Sequence, residues 1–215
     1  MYENTLPGTT AEALERVGAS GLLDQAYLAG GTAAALQMGH RISRDLDFFT
    51  DQPFDEEKVL EQLSPLGLTH RVKEWRTIMG TLDGVSFSYF YYKYPLLFET
   101  IPYRNIRIAD LRDLAAMKTD AIATRGIKRD FIDLYRIMEM KNLSLAIILG
   151  FYQRKYEAGS NMLAHALNSL TYFDDAETQE KEDRPLELLQ PLDWEKVKRF
   201  FREEVERTSR ELLLH

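Results

Sequence analysis

The sequence predicts an α+β protein: a mixed α/β first half to about residue 109, then an all-helical second half. Three observations carry this reading. Strand-like segments are confined to the region before residue 110. After Asp110 the apolar spacing lengthens to a helical period. A Gly-Gly step that closes a strand-like run is followed, one short helix later, by an alternating Asp-x-Asp segment. With 215 residues against a typical domain of about 150, the division expected is 1–109 for the α/β core and 110–215 for the helical domain.

The elements follow in order. Thr9–Ala19 reads as a helix with Leu14 and Val17 on its apolar face and Thr10 as its cap. Gln25–Ala29 is a short apolar strand ended by Gly30-Gly31, and Thr32–Met38 is rich in helix formers. Arg44–Phe49 alternates polar and apolar residues and reads as a strand. Asp55–Leu63 is amphipathic with an acidic first turn, hence a helix. Strands are expected over Leu68–Trp75, Arg76–Leu82, Val85–Tyr92 and Ile106–Ala109, with Asp83-Gly84 as a hairpin turn. Leu111, Leu114, Ala115, Met117, Ala121 and Ile122 then form one helical stripe that stops near Gly126. Helices over Lys128–Met140, Leu143–Ala158 and Asn161–Leu170 follow, with Gly159-Ser160 as a stop and a fresh N-cap. Phe173–Leu192, acidic and containing Pro185 and Pro191, reads as a loop, and Trp194–Leu213 as a final charged helix.

Composition narrows the function. Hydrophobic residues make up 45% and charged residues 28% of the chain, enough for a sizeable core. The longest apolar run, Leu145–Tyr152, is far short of the roughly 18 residues of a membrane span. No secretory signal is visible at Met1–Thr5, so a cytoplasmic protein without membrane association is the simplest expectation. The absence of cysteine excludes disulfides, thiol catalysis and Cys-type zinc sites. A net charge of −7 argues against a protein that coats nucleic acid. Tyr103–Arg129 nevertheless carries seven basic residues against three acidic ones, which suggests a focused anion site.

The strongest chemical signal is Leu28-Ala29-Gly30-Gly31-Thr32 followed by Asp45-Leu46-Asp47-Phe48-Phe49. On a strand, i and i+2 face the same way, so Asp45 and Asp47 project together. Two carboxylates so placed repel by an amount of order 1 kcal/mol unless water or a cation intervenes, and Mg²⁺ favours such oxygen ligands. The rivals are Asp45 as a turn cap and Arg41 or Arg44 as ion-pair partners. A Gly-Gly step opening a helix lets main-chain N–H groups approach an anion, or else simply makes a tight turn. Thr32 adds a hydroxyl for phosphate or for capping. Jointly, the two features supply a phosphate cradle opposite a cation-binding pair, which suits nucleotidyl transfer.

At this point the sequence resembles a known family. Leu28–Phe49, and within it His40-Arg41-Ile42-Ser43-Arg44-Asp45-Leu46-Asp47-Phe48-Phe49, is similar to the first motif of the AbiEii/AbiGii toxin nucleotidyltransferases, relatives of the DNA polymerase β superfamily. Asp110–Lys118, continuing through Arg125-Gly126 to Lys128–Tyr135, resembles the later motifs. The likeness spans roughly residues 25–140 and implies a polymerase β-like nucleotidyltransferase core with a mixed sheet, followed by a C-terminal helical domain. It implies that Asp45 and Asp47 ligate Mg²⁺, in a one- or two-metal site. It further implies that Gly30, Gly31 and Thr32 hold a nucleoside triphosphate, the donor, and that Lys118 contacts its phosphates. Lys118 and Arg125, seven apart, can share one helical face. Asp130 and Asp133 would lie beside the catalytic site, or else stabilise their helix dipole and pair with Lys128 or Arg129. Arg41 neutralises triphosphate or buttresses the carboxylates; His40 and Ser43 fix that loop, Ser43 within the nucleotide-binding set.

The activity implied is Mg²⁺-dependent transfer of a nucleoside monophosphate to an acceptor hydroxyl of RNA (tRNA in characterised relatives) or of protein. The setting implied is the toxin of a toxin–antitoxin or abortive-infection pair, with a cognate antitoxin as partner. One departure stands out: the strand Val85–Phe90 offers serines where such enzymes place a third carboxylate, leaving Asp83, Glu99, Asp110 or a water to substitute. That departure motivates a second reading, a catalytically impaired module that binds nucleotide or a protein partner. The aromatic run Phe87–Tyr94 reads as core and edge packing, with base stacking as the alternative. His165 reads as a surface or packed histidine.

Overall fold

The alternation around Asp47 is realised in β2 (Leu46–Thr50), whose residues are buried and half-buried in turn. The computed structural model describes residues 1–178 and 185–213. β2 lies near the middle of a mixed seven-stranded sheet with β1 (Tyr27–Leu28), β3 (Leu68–Glu74), β4 (Thr77–Leu82), β5 (Val85–Tyr91), β6 (Ile101–Tyr103) and β7 (Ile106–Ile108). The strand order is β3-β4-β5-β2-β1-β7-β6. β2 pairs parallel with β5 and antiparallel with β1, and β1 pairs parallel with β7. One sheet face carries Leu46, Phe48 and Phe87, all buried, with the Phe48 and Phe87 rings 5.9 Å apart.

The chain forms two compact units, Met1–Asp110 and Leu111–His215. In the first, the sheet is accompanied by α1 (Gly8–Ser20), α2 (Gly30–Met38) and α3 (Glu56–Leu63). The expected cap Thr10 is instead buried inside α1, which starts one turn earlier with Pro7 at the N-cap; a rigid φ near −65° suits proline there. Asp55 caps α3 by accepting the Glu57 and Lys58 N–H groups. Asp83 and Gly84 both have positive φ, 50° and 82°, the signature of a tight hairpin turn between β4 and β5. β6 was not expected; three residues containing Pro102 give no periodic signal, and it exists through its antiparallel pairing with β7.

The second unit contains α4 (Leu111–Thr124), α5 (Lys128–Lys141), α6 (Leu145–Tyr156), α7 (Ser160–Ser169), α8 (Asp174–Thr178) and α9 (Trp194–Leu213). Gly126, at φ 57°, ends the α4 region. Ser160 is the first residue of α7 rather than its cap, which is Gly159. The expected loop from Phe173 to Leu192 holds the short α8 in its first part, while residues 179–184 lie outside the described residues. Phe131, on α5, is ringed by Phe173, Trp194 and Phe201 at 5.2–5.9 Å. No helix among the described residues is long and apolar enough to cross a membrane.

An ion pair sits inside this helical core. Lys155 Nζ lies 2.9 Å from Asp113 Oδ1, with both side chains fully buried. Burial lowers the Lys155 ammonium below its ordinary value, and the Asp113 carboxylate opposes that shift. Removing one partner leaves the other charge stranded in a dry interior. Asp113→Ala is expected to cost about 3–5 kcal/mol in urea unfolding, whereas the paired change Asp113→Leu with Lys155→Met recovers most of that loss.

Candidate active site

The site grows from the junction of β1 with α2. Ala29, at the α2 N-cap, donates its N–H to the Asp47 carbonyl at 2.9 Å, tying the helix start to β2. Gly30 then takes φ +64°. A Cβ at Gly30 would stand 2.7 Å from Asp47 Oδ2, closer than real contacts allow. The absent side chain therefore lets the Asp47 carboxylate lie directly against the first turn of α2, where the helix dipole favours an anion. At Gly31 an added Cβ would run into the Arg41 guanidinium and lie 3.3 Å from Ser43 Oγ. The cradle that the Gly-Gly step leaves is thus lined by Arg41 and Ser43.

Hydrogen bonds hold the connecting loop. The Thr32 hydroxyl donates to the Asp45 carbonyl and lies 2.8 Å from Ser43 Oγ. Ser43 donates its N–H to the Thr5 carbonyl at 2.9 Å, and Arg41 Nη1 donates to the Ile42 carbonyl at 3.1 Å. Arg41, Ser43 and His40 are buried, whereas Asp45 and Asp47 are half-buried. Asp45 immediately precedes β2 rather than lying within it. The structure therefore brings Gly30, Gly31, Thr32, Arg41, Ser43, Asp45 and Asp47 together in the first unit. The Thr5 contribution was missed by sequence reasoning, since it joins positions 38 apart through a main-chain carbonyl that has no sequence signature.

On the neighbouring strand, Ser88 is the register partner of Asp47. Parallel partners project to the same face, so this serine occupies the place where a third carboxylate was sought. Among the described residues, no group of three or more His, Asp or Glu side chains is arranged to hold a metal ion. The donor set of two aspartates still suits Mg²⁺, which keeps several waters and takes further oxygens from substrate phosphates.

The remaining candidate residues form a cluster in the second unit. Lys118 Nζ on α4 contacts Asp130 Oδ1 at 2.8 Å and Asp133 Oδ2 at 2.6 Å, both on α5. Arg125 grips Asp130 with Nε to Oδ2 at 2.9 Å and Nη2 to Oδ1 at 3.1 Å. The two aspartates are fully buried, Lys118 is nearly so, and Arg125 is 55% exposed. Burial pushes the Asp130 carboxyl up, but the Lys118 and Arg125 charges outweigh it and hold the group below the usual carboxylate range.

The comparisons with known proteins bear on this geometry. The chain is similar to the crystal structure of JHP933 from Helicobacter pylori, with a TM-score of 0.53, 14% identity, and 96% of each chain covered. It is also similar to MenT4, a nucleotidyltransferase toxin from Mycobacterium tuberculosis H37Rv, with a TM-score of 0.51, 17% identity, and 93% of this chain and 86% of that one covered. The fold is thus that of nucleotidyltransferases, a mixed sheet with helices and a C-terminal helical part. The sequence model of the AbiEii family, described as nucleotidyl transferase AbiEii toxin of type IV toxin–antitoxin systems, matches residues 12–72 and 85–213, and the chain belongs to this family. An uncharacterized protein of Aquifex aeolicus (strain VF5) is 38% identical over 201 residues, covering 90% of this chain and 93% of that protein.

Two outcomes follow. Gly30→Ala forces a side chain into φ +64° and against Asp47; it is expected to cost about 1 kcal/mol or more of stability, read as a lower urea midpoint. Asp130, with a lowered folded-state pKa, contributes stability that is full above its unfolded pKa of about 3.9 and is lost as pH falls through the folded value. Asp130→Asn should therefore lower the urea midpoint at pH 7 and flatten its fall below about pH 4.

Proposed function

We propose that this chain transfers a nucleoside monophosphate from a nucleoside triphosphate to an acceptor hydroxyl of RNA. The observation that carries the reading is the Asp47 carboxylate lodged against Gly30 at the start of α2, which joins an anionic pair to an anion-binding helix start. Asp45 and Asp47 would hold Mg²⁺, which when bound neutralises charge on the α-phosphate and leaving oxygens. The N–H groups of Gly30 and Gly31 receive the triphosphate in a cradle lined by Arg41 and Ser43, while the buried Thr32 hydroxyl, donating to the Asp45 carbonyl, holds the carboxylate loop against the same helix turn. Lys118, Arg125, Asp130 and Asp133 are assigned to the reaction by the family likeness, Lys118 and Arg125 as phosphate contacts.

The step balances simply. The acceptor oxygen bonds to the α-phosphorus, the bond from that phosphorus to the bridging oxygen breaks, and pyrophosphate leaves. β5 supplies no carboxylate, and the hydroxyl proton passes to water, with Asp83, Glu99 or Asp110 as the alternative acceptor. A toxin role, a cognate antitoxin as partner and a cytoplasmic setting complete the reading.

Ser88 beside Asp47 favours a second reading, a scaffold that binds nucleotide or a partner without turnover. Incubation of the purified chain with Mg²⁺, each labelled triphosphate, and total RNA or protein separates the two. Labelled RNA is expected, and Asp47→Ala should lower its formation by about 100-fold or more while the thermal unfolding curve stays cooperative. Label on protein alone would move the acceptor to a protein hydroxyl. Nucleotide-dependent stabilisation with no product under any condition would establish the second reading.

A further inference from the structure

Beside the carboxylates lies an aromatic surface that the proposed chemistry leaves without a task. Asp47 pairs in register with Ser88, and Phe49, two residues on, pairs with Phe90. Alternation puts all four on one sheet face, the rings about 6.6 Å further along β2 than the carboxylate. The Phe49 ring is 5.1 Å from Phe90, 5.3 Å from Tyr92 and 6.0 Å from Tyr27; Tyr92 is 5.2 Å from Tyr94. On the opposite face of these strands Phe48, Phe87 and Tyr89 are buried as core. Phe49, Phe90, Tyr92 and Tyr94, by contrast, each keep part of their surface accessible. The run Phe87–Tyr94 is therefore divided between packing on one face and a half-exposed ring row on the other.

Position along the strand indicates what the row faces. The first turn of α2 lies at the level of Asp45 and Asp47, since Ala29 donates to the Asp47 carbonyl and Thr32 to that of Asp45. Tyr27 and Phe49 are paired at the other end. In an in-line displacement the attacking oxygen enters opposite the leaving group. With the pyrophosphate held at the α2 end, the acceptor arrives from the ring end. Aromatic rings with cations at their margin suit single-stranded nucleic acid, whose bases stack while its phosphates seek positive charge. Lys93 Nζ lies 5.1 Å over the Tyr94 ring, at the same end of β5.

We propose that Phe49, Phe90 and Tyr92 form a stacking shelf for the terminal base of a single-stranded RNA acceptor, placing its hydroxyl at Asp47. The proposal rests on the nucleotidyl-transfer reading. Its test uses the full chain and a short RNA whose terminal base is 2-aminopurine, a fluorophore quenched by stacking on aromatic rings. Wild-type protein should quench it, Tyr92→Leu should weaken RNA binding about tenfold, the size of one base–ring stack, and Tyr92→Phe should restore both quenching and affinity. Triphosphate affinity should not follow these changes, and an RNA with an abasic terminus should bind wild type and Tyr92→Leu equally. Phe90→Leu provides a second variant, within the shelf itself, if Tyr92→Leu does not fold.

Equal quenching by wild type and both leucine variants overturns the shelf, as does a parallel loss of triphosphate affinity, which would assign the rings to the donor base. Ring-dependent quenching with no product from any triphosphate would sink the transfer reading and leave the shelf standing as an RNA site. Product formation with ring-independent binding would do the reverse.

Discussion

The first unit's site depends on a single steric allowance: Gly30 at φ +64°, with the Asp47 carboxylate where a β-carbon would otherwise be. Nothing stands between the anion and the start of α2. The carboxylate gains the favourable end of the helix dipole, and the distance from strand to amide cradle is set by main chain. Loop 39–45 can then be short, because Thr32 and Ser43 close it against the same helix turn. The Thr5 carbonyl secures it from the N-terminal side. Side-chain contacts alone would hold the same groups through several rotatable bonds.

Charge burial governs the second unit in a different way. Lys118, Arg125, Asp130 and Asp133 form a neutral set in which each aspartate meets at least one cation. Burying Lys118, Asp130 or Asp133 alone would carry a large desolvation cost, so these three are energetically bound to one another, with the exposed Arg125 adding its charge to Asp130. Their joint presence therefore has a structural reason as well as the role in nucleotide chemistry proposed from the family likeness. Lys155 and Asp113 follow the same rule at a place to which no reaction has been assigned.

Local signals were legible wherever one residue dictates its own conformation. Asp55 caps α3, Asp83-Gly84 turns the β4–β5 hairpin, and Gly126 ends the α4 region, each by short-range chemistry. The failures share a cause. Thr10 and Ser160 look like caps, yet their helices start earlier, at Gly8 and at Ser160 itself. β6 carries no pattern of its own and exists only because β7 offers it a partner. In the candidate site, Gly30-Gly31 and Asp45-x-Asp47 stood out by type and spacing, whereas the placement of Ser88 against Asp47 depends on a parallel pairing 41 positions apart.

By itself, the sequence determined the family, the α+β class and the residue types able to handle phosphate and magnesium, because short motifs and hydrophobic periods are written in neighbouring positions. Only the tertiary structure decided that Asp47 abuts Gly30, that Lys118 lies between two buried aspartates, and that half of an aromatic run faces the same side as the carboxylate. Those facts follow from strand register and helix packing. Register is a relation between segments far apart in the chain, chosen by the burial of whole faces, and no local stretch encodes it.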